Sequence, residues 1–334
     1  MPAHVRTKRD LLLVLVGIIL CLAVTVALIV LYFWSNRRHP AIFLFALLVP
    51  AIWTFPFYNR IRRMIAERHF SRAELLLETH RPGLGQSFHV QLTLAARRTV
   101  DLTDCILSLK ATESVHTDRR STRTHQAACL EVPLQTPPQL KKNETCVFEA
   151  DVAVPAEGME SFQGRGLSLR WTLEAHARLG KLSLLLDSQE LVVRPVRSGP
   201  PQASPPERSA GERLRLTLRP AALQVGSKGR ISVIVPDDLA ASAASLAVAL
   251  SWRSTPTDAT ESDEHNVFAG TAIDFKPAQP VAFDFLVPPA GPLSYPGKLF
   301  SITWTARASL HAYDGETIET TQLPVTIQPQ QASL

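Results

Sequence analysis

Two stretches of about 120 residues repeat one pattern at fixed separations along the chain. In their first halves the matching residues lie 141 positions apart, as Leu75 and Leu216 do. In their second halves the separation is 133, and Trp171-Thr172 matches Trp304-Thr305. The separation changes between the halves, where one copy has a shorter loop. The stretches, 73–196 and 213–329, are therefore predicted to be two copies of one domain.

Apolar and polar residues alternate within each copy, with a period of two. In the first copy Leu167, Leu169, Trp171 and Leu173 alternate with polar residues, and in the second Phe300, Ile302, Trp304 and Ala306 do so. This period is typical of half-buried strands, and frequent Pro and Gly punctuate them. The predicted fold class is all-β, with two tandem antiparallel, immunoglobulin-like β-sandwiches. Trp171 and Trp304 are predicted to be core anchors.

Residues 197–212, RSGPPQASPPERSAGE, separate the two copies. This segment is rich in Pro, Ser and Gly and has no large apolar residue. Such a composition does not support a regular element, so we predict a linker.

Both copies contain a Pro-containing turn, a Ser-aromatic-x-Gly turn and then a strand with a core-facing Trp. The motif reads VPAEGMESFQGRGLSLRWTLEAHA at 154–177 and VPPAGPLSYPGKLFSITWTARASL at 287–310. It resembles the corresponding segment of arrestin-type domains, and the resemblance covers roughly 73–329. It implies tandem arrestin-like sandwiches that act as an adaptor without catalytic activity. Arrestins are generally soluble and their trafficking relatives carry PPxY motifs that this chain lacks, so receptor binding and endocytic roles are not carried over.

The N-terminal region contains two apolar runs. Residues 11–34 carry no charge over 24 positions, which is roughly 36 Å of helix and enough to cross a bilayer. Residues 41–58 form a second uncharged run, with Trp53 and Tyr58 placed as interfacial aromatics. We predict a transmembrane helical hairpin with a short turn at 35–40.

Basic residues flank these runs and predict the orientation of the hairpin. The tail at 1–10 is basic, and residues 59–72 are predicted to form a basic amphipathic helix beside the membrane. The positive-inside rule then places the N-terminus and both sandwiches on the cytoplasmic side of a plasma or inner membrane. The arginines predicted to contact anionic lipid are Arg60, Arg62, Arg63 and Arg68. Much of the net charge of +5 thus comes from residues beside the predicted membrane spans, and no nucleic-acid partner is predicted.

A basic loop and an acidic loop are candidate partner-binding features of the two copies. The basic set in the first copy is Arg119, Arg120, Arg123, Lys141 and Lys142, and the acidic set in the second is Asp258, Glu261, Asp263 and Glu264. An anionic partner would be attracted to the first set, and solvated loops that only maintain solubility are the alternative. A further hypothesis is that the two loops contact one another.

No motif for catalysis or cofactor binding is found. The sequence lacks G-x-S-x-G, H-E-x-x-H and a phosphate-binding loop, so no enzyme, cofactor or catalytic residue is predicted. His116 and His125 share a polar loop, but their spacing matches no zinc pattern, and no metal is predicted. The four cysteines form no CxxC pair, and pairing of Cys129 with Cys146 stays open.

These features lead to three functional hypotheses. The first is a membrane-anchored, non-enzymatic protein-interaction or scaffold module whose protein partner is unknown. The second is an accessory subunit of a membrane enzyme or transport complex. The third, which requires the opposite topology, is an extracytoplasmic sandwich that binds envelope polymers. The oligomeric state is not predicted.

Overall fold

A computed structural model describes residues 26, 30, 65–117, 121–137, 139–197, 208–257 and 262–331. The predicted spans at 11–34 and 41–58 lie outside these residues, except that Val26 and Val30 are helical and exposed. Among the described residues, no helix combines the length and apolarity needed to cross a bilayer. Helical structure is otherwise confined to residues 65–69 and Asp237–Ala240 within the described ranges.

The first copy folds into twelve strands. They are β1 (Phe70–Leu77), β2 (Gly83–Leu84), β3 (Ser87–Ala96), β4 (Val100–Asp101), β5 (Asp104–Thr117), β6 (Ser121–Leu134), β7 (Gln139–Leu140), β8 (Thr145–Ala153), β9 (Phe162–Gln163), β10 (Leu167–Leu179), β11 (Leu182–Leu191) and β12 (Arg194–Arg197).

The second copy contains the remaining eleven described strands. They are β13 (Arg208–Ala210), β14 (Arg215–Arg219), β15 (Ala222–Gln224), β16 (Lys228–Ile234), β17 (Ala243–Pro256), β18 (Asp263–Ala272), β19 (Pro280–Leu286), β20 (Tyr295–Pro296), β21 (Phe300–Ala312), β22 (Thr317–Gln328) and β23 (Gln330–Gln331).

The two copies have the same sheet order. In the first, β1-β3-β8 forms one sheet and β11-β10-β5-β6 the other, with β9 paired to β10. In the second, β14-β16-β19 and β22-β21-β17-β18 repeat this order, with β20 paired to β21. The main ladders are antiparallel. The structure therefore confirms an all-β fold of the sandwich type.

The core of each sandwich follows the predicted alternation. Trp171 and Trp304 are each 1% exposed, as predicted for core anchors. The indole N–H of Trp171 donates to the Met159 carbonyl at 2.9 Å, and that of Trp304 donates to the Pro292 carbonyl at the same distance. Both acceptors lie twelve residues before their Trp, so the duplication extends to a buried hydrogen bond.

Strand β1 begins earlier than the predicted boundary of the first sandwich. Within the helix predicted over 59–72, residues 65–69 are helical but Phe70–Leu77 are a strand that pairs with β3. Phe70 and Leu75 are both buried although they lie an odd number of positions apart, because an irregularity in the pairing between Phe70 and Arg72 shifts the alternation and lets both side chains enter the core.

The predicted linker contributes strands at both of its ends. Arg197 closes β12, and Arg208–Ala210 form β13, which pairs with β14. Main-chain hydrogen bonds need no large side chains, so a short polar segment can extend a sheet at its edge. The linker prediction is wrong at these residues, and 198–207 lie outside the described ranges.

Candidate functional site

A buried carboxylate joins the two sandwiches. Glu113 lies on β5 and is 1% exposed. Its oxygens accept hydrogen bonds from the Tyr295 hydroxyl, the Lys298 amide at 3.2 Å and the Leu299 amide at 2.7 Å, all in the second sandwich. Burial, and then the bond to Glu113, raises the pKa of Tyr295, which stays a neutral donor. This network fixes one sandwich against the other.

A second buried carboxylate lies in the same contact region between the two sandwiches, which we call the junction. Glu160 is 5% exposed, and its Oε1 accepts from the Leu293 amide at 2.9 Å. Its Oε2 is buried without a hydrogen-bond partner among the described residues. Burial raises the pKa of Glu160 to about 7, and the Leu293 bond opposes this shift only partly.

Aromatic rings complete the junction. The ring centroid of Phe162 lies 6.2 Å from that of Trp252 and 5.9 Å from that of Phe300, both in the second sandwich. Tyr295 lies 133 positions after Phe162 and reaches the first sandwich through Glu113. Equivalent aromatic residues of β9 and β20 therefore each contact the opposite sandwich.

A cleft of about 740 Å³ opens beside this junction. One wall carries Trp252, whose ring is stacked on His265 with centroids 4.1 Å apart. Arg165, Arg194 and Asp263 also line the cleft. The cleft is thus lined by aromatic side chains and by charges of both signs.

The basic residues predicted to contact lipid or a partner are only partly described. Arg68 is exposed at the end of the helical segment, and Arg60, Arg62 and Arg63 lie outside the described residues. Arg119 and Arg120 also lie outside them, while Arg123 lies near the β5–β6 turn. Lys141 and Lys142 are exposed between β7 and β8, close to the opposite end of β5. The length of β5 between these positions is about 35 Å.

The acidic set is only partly described. Asp258 and Glu261 lie outside the described residues. Glu264 accepts from Arg253 at 2.6 Å and from Ser251 at 3.1 Å, and these hydrogen bonds lower its pKa. Glu264 is thus paired within its own sandwich, and contact between the two charged loops stays a prediction.

Strand β6 lies at the edge of its sheet among the described strands. It pairs with β5 on one side and is the last strand of its sheet among those described. Most of its 14 residues are exposed, including Cys129 and Leu130. The described cysteines 105, 129 and 146 are free thiols, so Cys129 and Cys146 do not pair.

The junction carboxylates were not among the residues predicted from the sequence. Glu113 occupies a core-facing position of β5, in phase with the buried Leu109 and Ala111, so a charge on an apolar face was the available signal. Glu160 lies in an irregular turn, where no periodicity marks its burial.

No protein-family model matches this chain, and no curated protein matches it significantly.

Proposed function

We propose that this chain is a membrane-anchored, non-enzymatic protein-interaction or scaffold module of arrestin-like type. Three features support the proposal. The sandwiches are joined by buried contacts as well as by the linker, β6 is the last of the described strands in its sheet, and the uncharged run at 11–34 is long enough to span a bilayer.

The edge of β6 is the observation that carries the proposal. An exposed edge strand presents unpaired N–H and C=O groups to which an extended segment of a partner can add. Residues 126–130, QAACL, carry no charge that would disfavour such pairing, and Leu130 is 36% exposed. Anchoring to a membrane would raise the effective concentration of this edge near membrane partners.

Site-specific photo-crosslinking in native membranes tests the proposal. A photoreactive residue at Leu130 should crosslink a partner protein, whereas one at Leu185 should not. Leu185 is a matched control because it is 41% exposed and lies on β11, at the opposite end of the same sheet order. Crosslinking of the same partner with equal yield from both positions would contradict β6 as the docking edge.

The same experiment separates a scaffold from an accessory subunit. Several partners recovered in substoichiometric amounts would support a scaffold. Recovery of one enzyme or transporter at fixed stoichiometry would instead assign the chain to that complex and overturn the scaffold proposal.

A second candidate function is favoured by the cleft. Stacked Trp252 and His265 form the kind of aromatic surface on which sugar rings and other flat polar groups pack, as an extracytoplasmic envelope-polymer binder requires. Reporter fusions at the C-terminus decide the topology. Periplasmic phosphatase activity, together with polymer binding that Trp252→Ala abolishes, would favour this candidate over the scaffold.

A further inference from the structure

Four chain segments meet at the end of the first sandwich from which the N-terminal region departs. The Arg97 amide donates to the His69 carbonyl at 2.8 Å, and the Asn143 amide donates to the Ala96 carbonyl at 2.7 Å. The Thr103 amide donates to the Arg178 carbonyl at 2.9 Å. We call this end, formed by residues 65–69, 97–104, 139–144 and 178–182, the proximal end.

The proximal end is basic. Its basic residues are Arg68, Arg97, Arg98, Lys141, Lys142, Arg178 and Lys181, and its acidic residues are Glu67, Asp101, Asp104 and Glu144. All seven basic side chains belong to exposed residues. Arg178 pairs with Asp104, whereas Lys141, Lys142 and Lys181 have no ion-pair partner among the described residues. The excess of positive charge is therefore available to an external anion.

Arg98 also holds the departing chain against this end. Its Nε donates to the Arg68 carbonyl at 3.2 Å. Burial, and then the nearby charge of Arg98, lowers the pKa of His69. Hydrogen bonds to their carbonyls thus hold Arg68 and His69 at the basic surface.

The matching end of the second sandwich has the opposite charge. We call it the distal end, formed by residues 211–214, 235–243, 273–279 and 312–316. Its charged residues are Glu212, Arg213, Asp237, Asp238, Asp274, Lys276, Asp314 and Glu316. At the repeat separations of 141 and 133, Arg97 matches Asp238, Lys141 matches Asp274 and Lys181 matches Asp314. The two copies share a fold but differ in the sign of charge at this end.

The proximal end of the first sandwich and the distal end of the second lie at opposite ends of the pair of sandwiches. Each sandwich uses its other end to form the junction, through Glu113 in the first and Tyr295 in the second. From Asp104 at the proximal end to Glu113 at the junction, β5 extends about 30 Å. A surface that contacts the proximal end therefore cannot reach the distal end.

The predicted second span ends close to the proximal end. Seven residue steps separate Tyr58 from Ile65, and even a fully extended chain covers only about 25 Å over that length. An anionic bilayer attracts nearby basic residues at about 1 kcal/mol each, within a Debye length of roughly 8–10 Å.

We infer that the proximal end of the first sandwich docks on anionic lipid headgroups, with the acidic distal end pointing away from the bilayer. This inference rests on the proposed membrane anchor. It assigns Lys141 and Lys142 to the lipid surface rather than to a protein partner, and adds Arg97, Arg98 and Lys181 to the arginines predicted from the sequence.

Hydrogen exchange of the full chain tests this docking. The protein is placed in nanodiscs of phosphatidylcholine alone or with about one-third phosphatidylserine. In the anionic discs, amide exchange at 97–103, 141–144 and 180–182 is expected to slow at least about fivefold. This factor corresponds to the attraction of a single basic residue to an anionic surface, about 1 kcal/mol. The distal segments 236–242 and 313–316 should exchange equally in both discs. Raised salt should remove the effect.

Two matched variants are obtained by giving charged positions in one copy the charge found at the equivalent positions of the other copy. The triple variant R97D/K141D/K181D gives the proximal end the residues of the distal end and should lose the protection. The reverse variant D238R/D274K/D314K alters only the distal end and should keep it. All six positions are exposed or in turns, so native circular dichroism serves as the folding control.

Three outcomes would overturn the inference. They are equal exchange in both kinds of disc, protection at the distal segments, and protection by soluble RNA but not by anionic lipid. Insertion into the discs is measured separately by resistance to alkaline extraction. A chain that fails to insert refutes the anchor in the proposed function, whereas a chain that inserts without lipid-dependent protection refutes only the docking.

Discussion

Glu160 and Leu293 occupy equivalent positions in the two copies, 133 residues apart, and they are hydrogen-bonded to each other across the junction. Contact between equivalent residues is what an approximate two-fold relation between the sandwiches produces. The side chains are not equivalent, because one is a carboxylate and the other is apolar. Of these two equivalent positions, only that of Glu160 carries an ionisable side chain, and its Oε2 lacks a partner among the described residues.

Replacing Glu160 with Gln should remove a pH dependence of stability. The pKa of Glu160 is raised from 4.5 to about 7, so between these values the native state binds more protons than the unfolded state. The free energy of unfolding should therefore fall as pH rises from 4.5 to about 7, by up to about 3 kcal/mol. Glu160→Gln keeps an acceptor for the Leu293 amide and should be the more stable protein at pH 8.

Urea unfolding between pH 4.5 and 8.5, followed by far-UV circular dichroism, checks this prediction. Glu149→Gln is the matched control, because Glu149 is exposed on β8 and should leave the pH profile unchanged. If the free energy of unfolding of the wild type depends on pH just as that of Glu160→Gln does, the pKa of Glu160 is the same in the native and unfolded states and the prediction is wrong.

Truncating Glu113 should loosen the junction. Glu113→Ala leaves the Tyr295 hydroxyl and two backbone amides without their acceptor, at an expected cost of about 3–5 kcal/mol. Tyr295→Phe removes only one donor and should cost about 1 kcal/mol. A double-mutant cycle on unfolding free energies should show coupling of the two residues, and strict additivity would contradict their contact.

Two equivalent glycines should differ in their tolerance of alanine. A Cβ on Gly297 would lie 2.5 Å from the Phe300 carbonyl oxygen and 2.7 Å from Oε1 of Glu113, and would overlap Tyr295. A Cβ on Gly164, its counterpart in the first copy, would meet only the Phe162 ring at 2.9 Å and the Leu167 Cβ at 3.8 Å. We expect Gly297→Ala to lower the unfolding temperature by several degrees more than Gly164→Ala, since a ring can rotate and a backbone carbonyl cannot. Equal shifts would contradict the junction geometry.

The two core tryptophans should be equally sensitive. Trp171→Phe and Trp304→Phe each remove the indole donor to a buried carbonyl and leave a small void, which should cost about 2 kcal/mol apiece. Trp252→Phe is the comparison, because Trp252 is only half buried and makes no indole hydrogen bond among the described residues. Its cost should be below about 1 kcal/mol. A large asymmetry between Trp171 and Trp304 would contradict their equivalence.

The secondary structure of this chain was largely predictable because one face of each strand is buried. Alternation around Trp171 and Trp304 predicted β10 and β21, and the structure confirms both strands and the burial of both rings. Boundaries were harder to predict. Phe70 could belong to a helix or to a strand on local pattern alone, and its pairing with Ala96 decides between them. The short strand β13 forms through main-chain bonds, which leave no signal in side-chain polarity.

The junction was not predictable in the same way. Burial of Glu113 depends on three donors that lie more than 180 residues away in the chain. The distance between Arg123 and Lys141 was not predictable for a related reason. Arg123 and Lys141 are close in sequence but lie near opposite ends of β5, since a strand extends about 3.3 Å per residue.

The sequence by itself determined the local and repeated features of this protein: two copies of one alternating pattern, their core tryptophans, and an uncharged run long enough for a bilayer. These features follow from the periodicity and composition of the sequence, which are properties of residues that lie close together in the chain. The tertiary structure decided which charges are buried at the junction and which are gathered at each end of the tandem. Those properties depend on contacts between distant segments, and only the folded chain brings Arg97, Lys141 and Lys181 to one surface and their acidic counterparts to the other.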